Sequence, residues 1–268
     1  MKGEDFYREY APAPDLREVV ACGWVKVVTT SMRVPVIPDG CADVIMIGEG
    51  EPIVVGPDEI TRWVPLEAGV VISALRLRPG AARAMLGLRA GELLGESGLL
   101  RDVVRGVRDL EDDLRALEAP AARVARLERW ARDRLATSSA ADRDRRIIAG
   151  CRMLARDPGL TMDVLADHFG WNARMLHREF VAACGYGPKY FQRIMRVQGV
   201  IREATRQDAA RPAGTRMAPL SALAANLGFS DQAHMTRDFK SIVGLTPSAY
   251  LAEHDHELGR WLDEGWRD

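Results

Sequence analysis

One unit occurs twice in the C-terminal third, and no other feature limits so tightly what the chain can fold into. The first copy is LADHFGWNARMLHREFVAACGYGPKYF, Leu165 to Phe191, and the second is LAANLGFSDQAHMTRDFKSIVGLTPSAYL, Leu223 to Leu251. In each, a Leu-Ala pair is followed four residues on by glycine, Gly170 and Gly228. Phenylalanine follows at Phe180 and Phe239, then glycine and proline at Gly185/Pro188 and Gly244/Pro247. Repeated spacing of this kind marks one supersecondary unit used twice.

The spacing is that of a helix-turn-helix. A short helix ends at a glycine that tolerates the turn, a polar residue caps the next helix, and that second helix buries one face. Asn172 and Ser230 are the predicted caps. Leu176, Phe180 and Ala183 share the inner face of the first unit, opposite Arg174, His177, Arg178 and Val181. Met235, Phe239 and Ile242 do the same in the second, opposite Ala233, Thr236, Arg237 and Lys240. Apolar behind and Arg, His, Thr and Gln in front suits a major groove, where Arg bonds guanine and Gln bonds adenine bidentately.

Charge supports this. The net formal charge is −1, but 143–251 holds sixteen Lys or Arg against nine Asp or Glu, a balance of +7, which leaves −8 elsewhere. A basic segment joined to an acidic remainder points to an anionic partner for the former. The opening MKGEDFYREY carries charge where an apolar signal core would lie, and no run approaches a membrane span. The four cysteines form no C-x-x-C pair, which argues against structural zinc or a disulfide framework and fits a reducing cytoplasm.

The first hundred residues predict mainly β structure. Val34–Ile37, Val44–Ile47 and Ile53–Val55 are short β-branched runs separated by PDG, GEGE and GPDE turns. In GVVISALRLRPG, Ser73, Leu75 and Leu77 point inward and Arg76 and Arg78 outward, as surface positions or as contacts to an anionic ligand. A sandwich or barrel is expected, followed by a short helix over Ala81–Leu88. Leu100 to Leu117 recurs at helical spacing until Pro120, and Val124, Leu127, Ala131 and Leu135 form a second stripe. These two helices bury their stripes on their own domain, across a dimer interface, or both. Thr137–Asp142 reads as the linker.

GFSDQAHMTRDFKSIVGLTPSAYL resembles the signature of the AraC family of bacterial transcription regulators, and the likeness extends over about Arg146 to Leu251. It implies an α+β chain: a β-rich effector or assembly domain over 1–98, helices over 99–136 that connect and, as one alternative, dimerise, and a DNA-binding domain over 143–252. The acidic tail occupies 253–268. Two helix-turn-helix units would be joined by one long helix from Pro188 to about Thr205. Base-facing candidates carried over by position are Arg174, His177 and Arg178, then Gln232, Ala233, His234, Thr236 and Arg237, with Lys240 beside them. Double-stranded DNA, a second copy, a small-molecule effector and RNA polymerase are the partners implied, acting at the nucleoid, with no cofactor. IPDGCADVI, VVGP and LRLRPGA resemble the N-terminal domain of one branch of the same family. Three features depart from the pattern. Ala233 offers a base only a methyl contact, Gly199 in the linker helix costs ~1 kcal/mol relative to Ala, and the Arg211–Arg216 loop is long.

Cys41, between Asp39 and Asp43, is the other candidate centre. Nucleophilic catalysis requires a base, and the five histidines (168, 177, 234, 254, 256) all lie outside the β-rich half. Methyl-transfer repair proteins that carry AraC-type units use a cysteine cluster on zinc, which this sequence lacks. An enzyme and a metal site are therefore not expected. Redox sensing by Cys41 and Cys22 and simple apolar packing remain, and the flanking acids would raise the thiol pKa. His254 and His256, two apart in an acidic tail, diverge on a helix and favour a solvated segment.

Overall fold

The computed structural model describes residues 6–137, 142–210 and 220–253. The part of the predicted linker at 138–141, the Arg211–Arg216 loop, and the tail with His254 and His256 lie outside them.

Six strands form one antiparallel sheet in the order β1 (Phe6–Tyr10), β2 (Val20–Val27), β7 (Val71–Leu77), β4 (Ala42–Ile47), β5 (Ile53–Val55), β8 (Ser97–Leu99). A second sheet pairs β3 (Met32–Val36) with β6 (Arg62–Leu66). Alternation decides the two faces of β7. Leu75 and Leu77 join Val44, Met46, Val54 and the following helices in one core, while Ile72 and Ala74 join Cys22, Trp24 and Leu66 under the small sheet. Both faces are thus covered, which corrects the expectation that Arg76 and Arg78 are solvated. Arg76 lies between the sheets beside Asp43. Arg78 is buried and its Nε donates to the Arg17 carbonyl at 2.7 Å.

The helical segment that follows is also more broken than its periodicity suggests. After α1 (Ala82–Leu86) come α2 (Leu100–Val103), α3 (Arg108–Ala116) and α4 (Pro120–Thr137). Gly106, at φ +75°, stands between α2 and α3 and divides the single helix expected from Leu100 to Leu117. Pro120 opens α4, where a missing N–H costs nothing. The α4 stripe of Val124, Leu127, Trp130 and Ala131 is buried on its own sheet. The approach is close at Gly23, where a Cβ would lie 2.2 Å from Val124 Cγ1. Buried Arg123 donates from Nε to the Leu114 and Leu117 carbonyls at the end of α3 and from a terminal nitrogen to Gly48 O, so its charge faces carbonyl dipoles.

Seven helices complete the described chain: α5 (Asp142–Arg156), α6 (Met162–His168), α7 (Ala173–Cys184), α8 (Pro188–Ala210), α9 (Leu220–Asn226), α10 (Gln232–Val243) and α11 (Pro247–Glu253). Their core is built on Leu165, Phe180, Phe191, Ile194, Met235 and Phe239. Two residues cross between the halves. Ile37, one residue beyond β3, belongs to this helical core, and Ile148 of α5 belongs to the β-sheet core. No described helix is long and apolar enough to cross a membrane.

Candidate nucleic-acid interface

The two repeats become two matched helical corners. In the first, α6 is capped by the Thr161 hydroxyl, which accepts from Val164 N–H, and the chain turns at Gly170 (φ +64°). Asn172 Oδ1 then accepts the Met175 N–H at 2.8 Å and starts the twelve-residue α7. In the second, α9 precedes Gly228 (φ +73°), and the twelve-residue α10 follows. Its cap is Asp231, whose Oδ1 accepts the His234 N–H at 2.6 Å, rather than the expected Ser230. Both long helices end on a left-handed glycine, Gly185 and Gly244, each at φ +87°. An L-residue there would be strained, so the shared glycine spacing of the repeat has a backbone cause.

Packing fixes which sides face out. Leu176, Phe180 and Ala183, and Met235, Phe239 and Ile242, are buried. Arg174, His177, Arg178, Gln232, Ala233, Arg237 and Lys240 are exposed, and His234 and Thr236 are half-buried. These candidates differ in how far their side chains are already engaged. The side chains of Arg174, Gln232 and Lys240 make no hydrogen bond or ion pair among the described residues. Arg178 donates to Glu179 Oε1 at 3.1 Å. Thr236 Oγ1 donates back to Gln232 O at 2.9 Å. His234 is the most tied: Nδ1 lies 3.0 Å from Ser230 Oγ, Nε2 lies 3.3 Å from Asp238, and the ring stands edge-on to Phe229. His177 packs over Gly187, where a Cβ would lie 2.7 Å from its Nε2.

The linker helix α8 holds the two corners in one arrangement. Gln192 Nε2 donates to the Pro158 and Leu160 carbonyls, and Arg196 Nε donates to Pro158 O, both in the loop before α6. Arg193 pairs with Asp238 of α10 at 2.9 Å. The Gly199 departure also has a cause, since a Cβ there would lie 2.8 Å from Leu227 Cδ2, so glycine admits the end of α9.

The sequence did not show that the β-rich half grips these helices. Arg83 of α1 reaches both Asp144 of α5 and Glu179 of α7, two buried acids. Tyr190 Oη donates to Glu59 O at 3.0 Å, and the Thr61 N–H donates to Ile242 O, in the last turn of α10, at 2.8 Å. Gln198 Nε2 donates to the Pro38 carbonyl at 2.7 Å. Such contacts carry no periodic signal. A PDG turn and a GPDE turn look like any surface turn until a helix lies against them.

Between the two sheets sits a charged group. Asp43 accepts from Trp24 Nε1 at 2.8 Å and from Arg76 Nε at 3.2 Å, and Asp39 lies 3.7 Å from Arg76. Burial pushes the Asp43 carboxyl up, with Arg76 pulling the other way. Burial works against the Arg76 charge, yet Asp43 and Asp39 hold its guanidinium well above the usual value. Cys22 and Cys41 border this group, and burial pushes both thiols up. Among the described residues no group of His, Cys, Asp and Glu is placed to hold a metal.

Residues 8–97 match a domain of unknown function (DUF6597), and residues 165–253 match a helix-turn-helix domain. No curated protein matches. Among solved structures, ToxT from Vibrio cholerae O395 overlaps at a TM-score of 0.43 and 11% identity, covering 85% of this chain and 95% of that one. A structure of ToxT bound to (E)-4-(8-methylnaphthalen-1-yl)but-3-enoic acid overlaps at 0.42 and 12%, covering 93% and 98%. Overlaps this distant carry no information about the ligand or mechanism of the present chain.

Proposed function

We propose that the chain is an AraC-type helix-turn-helix DNA-binding regulator and that it reads a specific duplex sequence through α7 and α10 together, under control of its β-rich half. The observation that carries this reading is the pair of equally long, N-capped and glycine-ended helices, each showing Arg or Gln outward and rigidly joined by α8. Each helix would enter one of two successive major-groove segments on one face of the duplex. Lys240 and the other exposed cations would position the phosphates. Arg174 and Arg237 would bond guanine edges, Gln232 adenine, and the Ala233 methyl a thymine methyl. His177, Arg178, His234 and Thr236 complete the reading face, the last three after leaving the intramolecular partners they now hold.

In this reading 1–98 senses or assembles, 99–136 connects, 143–252 binds DNA in the cytoplasm, and 253–268 is an appended tail. Effector control is supported by the part-buried charged group between the sheets and by the contacts that tie the β-rich half to α7, α8 and α10. A second copy and RNA polymerase are the further partners. The apolar stripe of α4 is not the surface for either, because its own sheet covers it.

The test is a titration of DNA fragments selected by the protein from a random pool. Arg174→Ala and Arg237→Ala should each cost about 1–3 kcal/mol of affinity and relax the preference at separate base pairs. Affinity of the wild type should also fall steeply with added salt as counterions return to the phosphates. Undiminished, equally selective binding by both variants would show that other surfaces read the DNA.

A further inference from the structure

The β-rich half meets α8 at one turn whose two sides face different environments. On the helical side, the Pro38 carbonyl accepts from buried Gln198, and Ile37 lies in the helical core. Gly40, at φ +80°, lets the turn approach the Phe191 ring so closely that a Cβ would stand 2.7 Å from Cε2. On the sheet side, Asp39 Oδ1 accepts the Cys41 N–H at 2.8 Å and its other oxygen faces Arg76, which is bound to Asp43. A turn of three consecutive residues therefore touches both the part-buried charged group and the linker helix.

We propose that the Pro38-Asp39-Gly40 turn is the joint that couples the Arg76 group inside the β-sandwich to α8, and through α8 to the relative placement of α7 and α10. The functional part of this proposal rests on those two helices being the DNA readers. Close-packed interiors transmit displacement rather than absorb it, and α8 has little slack. Gln192 and Arg196 fix it to the first unit and Arg193 to the second. The neighbouring loop carries a second strap in the same direction, from Glu59 to Tyr190 and from Thr61 to Ile242. A movement of Asp39 relative to Arg76 would shift the turn, which already bears on Gln198 and Phe191 of α8.

Coupling of this kind is reciprocal, so DNA on α7 and α10 should be felt at the turn. Hydrogen exchange of the full chain, free and saturated with a selected duplex, tests it. Three variants serve: Gln198→Leu, which removes the bond to Pro38; Gly40→Ala, which forces the turn off Phe191; and Gly48→Ala. The last carries a similar backbone strain at φ +58° with nothing within 4 Å of its Cβ, and is the control. In the wild type and the control, DNA should slow exchange over 37–43. In the other two, exchange over 37–43 and 195–200 should be faster in the free protein, the DNA-dependent change at 37–43 should vanish, and DNA affinity should shift by about fivefold or more. Retention of the transmitted protection in both Gln198→Leu and Gly40→Ala overturns the proposal, as does a wild type that binds DNA with no change at 37–43. A wild type that binds no duplex defeats the DNA reading instead. The joint is then judged on the free protein, where exchange over 195–200 unaltered by either variant overturns it.

Discussion

Cys41 has the backbone setting of a displayed nucleophile and the environment of a core residue. Its N–H is held by Asp39, but its side chain is buried, and burial first and the Asp39 charge second push the thiol well above its ordinary pKa, with only Arg76 opposing. The thiolate is the species that attacks a reagent, so the raised pKa and the lack of access act together. Cys22 shares this setting, and Cys151 and Cys184, with sulfurs 3.5 Å apart, are buried in the helical core. An aromatic disulfide reagent at pH 8 should therefore label none of the four within minutes in the native protein and all four in guanidinium. Fast labelling of Cys22 or Cys41 in the folded chain would restore the redox reading. The flanking acids were legible in the sequence, and they give the right sign. The larger cause, burial, was not, because it depends on segments distant in sequence packing around this turn. Arg76 was misplaced for the same reason: alternation assigns a residue to a face without saying whether that face meets water.

At the level of elements, the caps of the two long helices make separable predictions. Asn172→Ala should cost about 0.5–2 kcal/mol in chemical denaturation, with Asn172→Asp recovering most of it. Asp231 differs because it is ionisable. By accepting the His234 N–H, its carboxylate is held below the usual range. A depressed folded-state pKa means that its contribution is complete above the ordinary carboxylate value of about 3.9 and is lost as pH falls through the lower, folded value. The His234 amide shift should follow that acid titration in the wild type and lose it in Asp231→Asn, which keeps the cap without the charge. A shift that stays flat in the wild type would remove Asp231 from the capping role. The helix-turn-helix corners were legible because glycine, cap and buried phenylalanine are local signals repeated at fixed spacing. The one-residue error, Ser230 for Asp231, arose because both are capping types, and only the extended backbone at Asp231 (φ −162°, ψ 172°) decides between them. Strand β2 was hidden by Gly23 and Lys26. The glycine is where α4 crosses, and the lysine is buried between sheets, which no alternation rule anticipates.

Across the whole molecule, the boundary between the β-rich and helical halves is clearer in the sequence than in the packing. Ile148, on the first helix after the linker, sits in the β-sheet core, while Ile37, from the β-rich half, sits in the helical core. Gly80, in the turn after β7, lies where a Cβ would meet Ile147 Cγ2 at 3.0 Å, and Arg83 adds ion pairs to α5 and α7. Two halves that each complete the other's core lose stability together when either is opened, even though chains of this length often unfold in stages. Ile148→Ala removes a nearly inaccessible side chain and should cost about 2–5 kcal/mol through lost transfer energy and the cavity left behind. The loss should be shared. Under mild denaturant, exchange of the β4 and β7 amides and of the α7 and α10 amides should accelerate by the same factor, and the two regions should unfold at one midpoint in both proteins. If Ile148→Ala accelerates only the helical amides, or the wild type melts in two steps, the halves are independently stable. A signal from the β-rich half would then have to reach α7 and α10, the helices proposed to read DNA, through individual contacts such as the Pro38–Gln198 bond, with no help from a shared core.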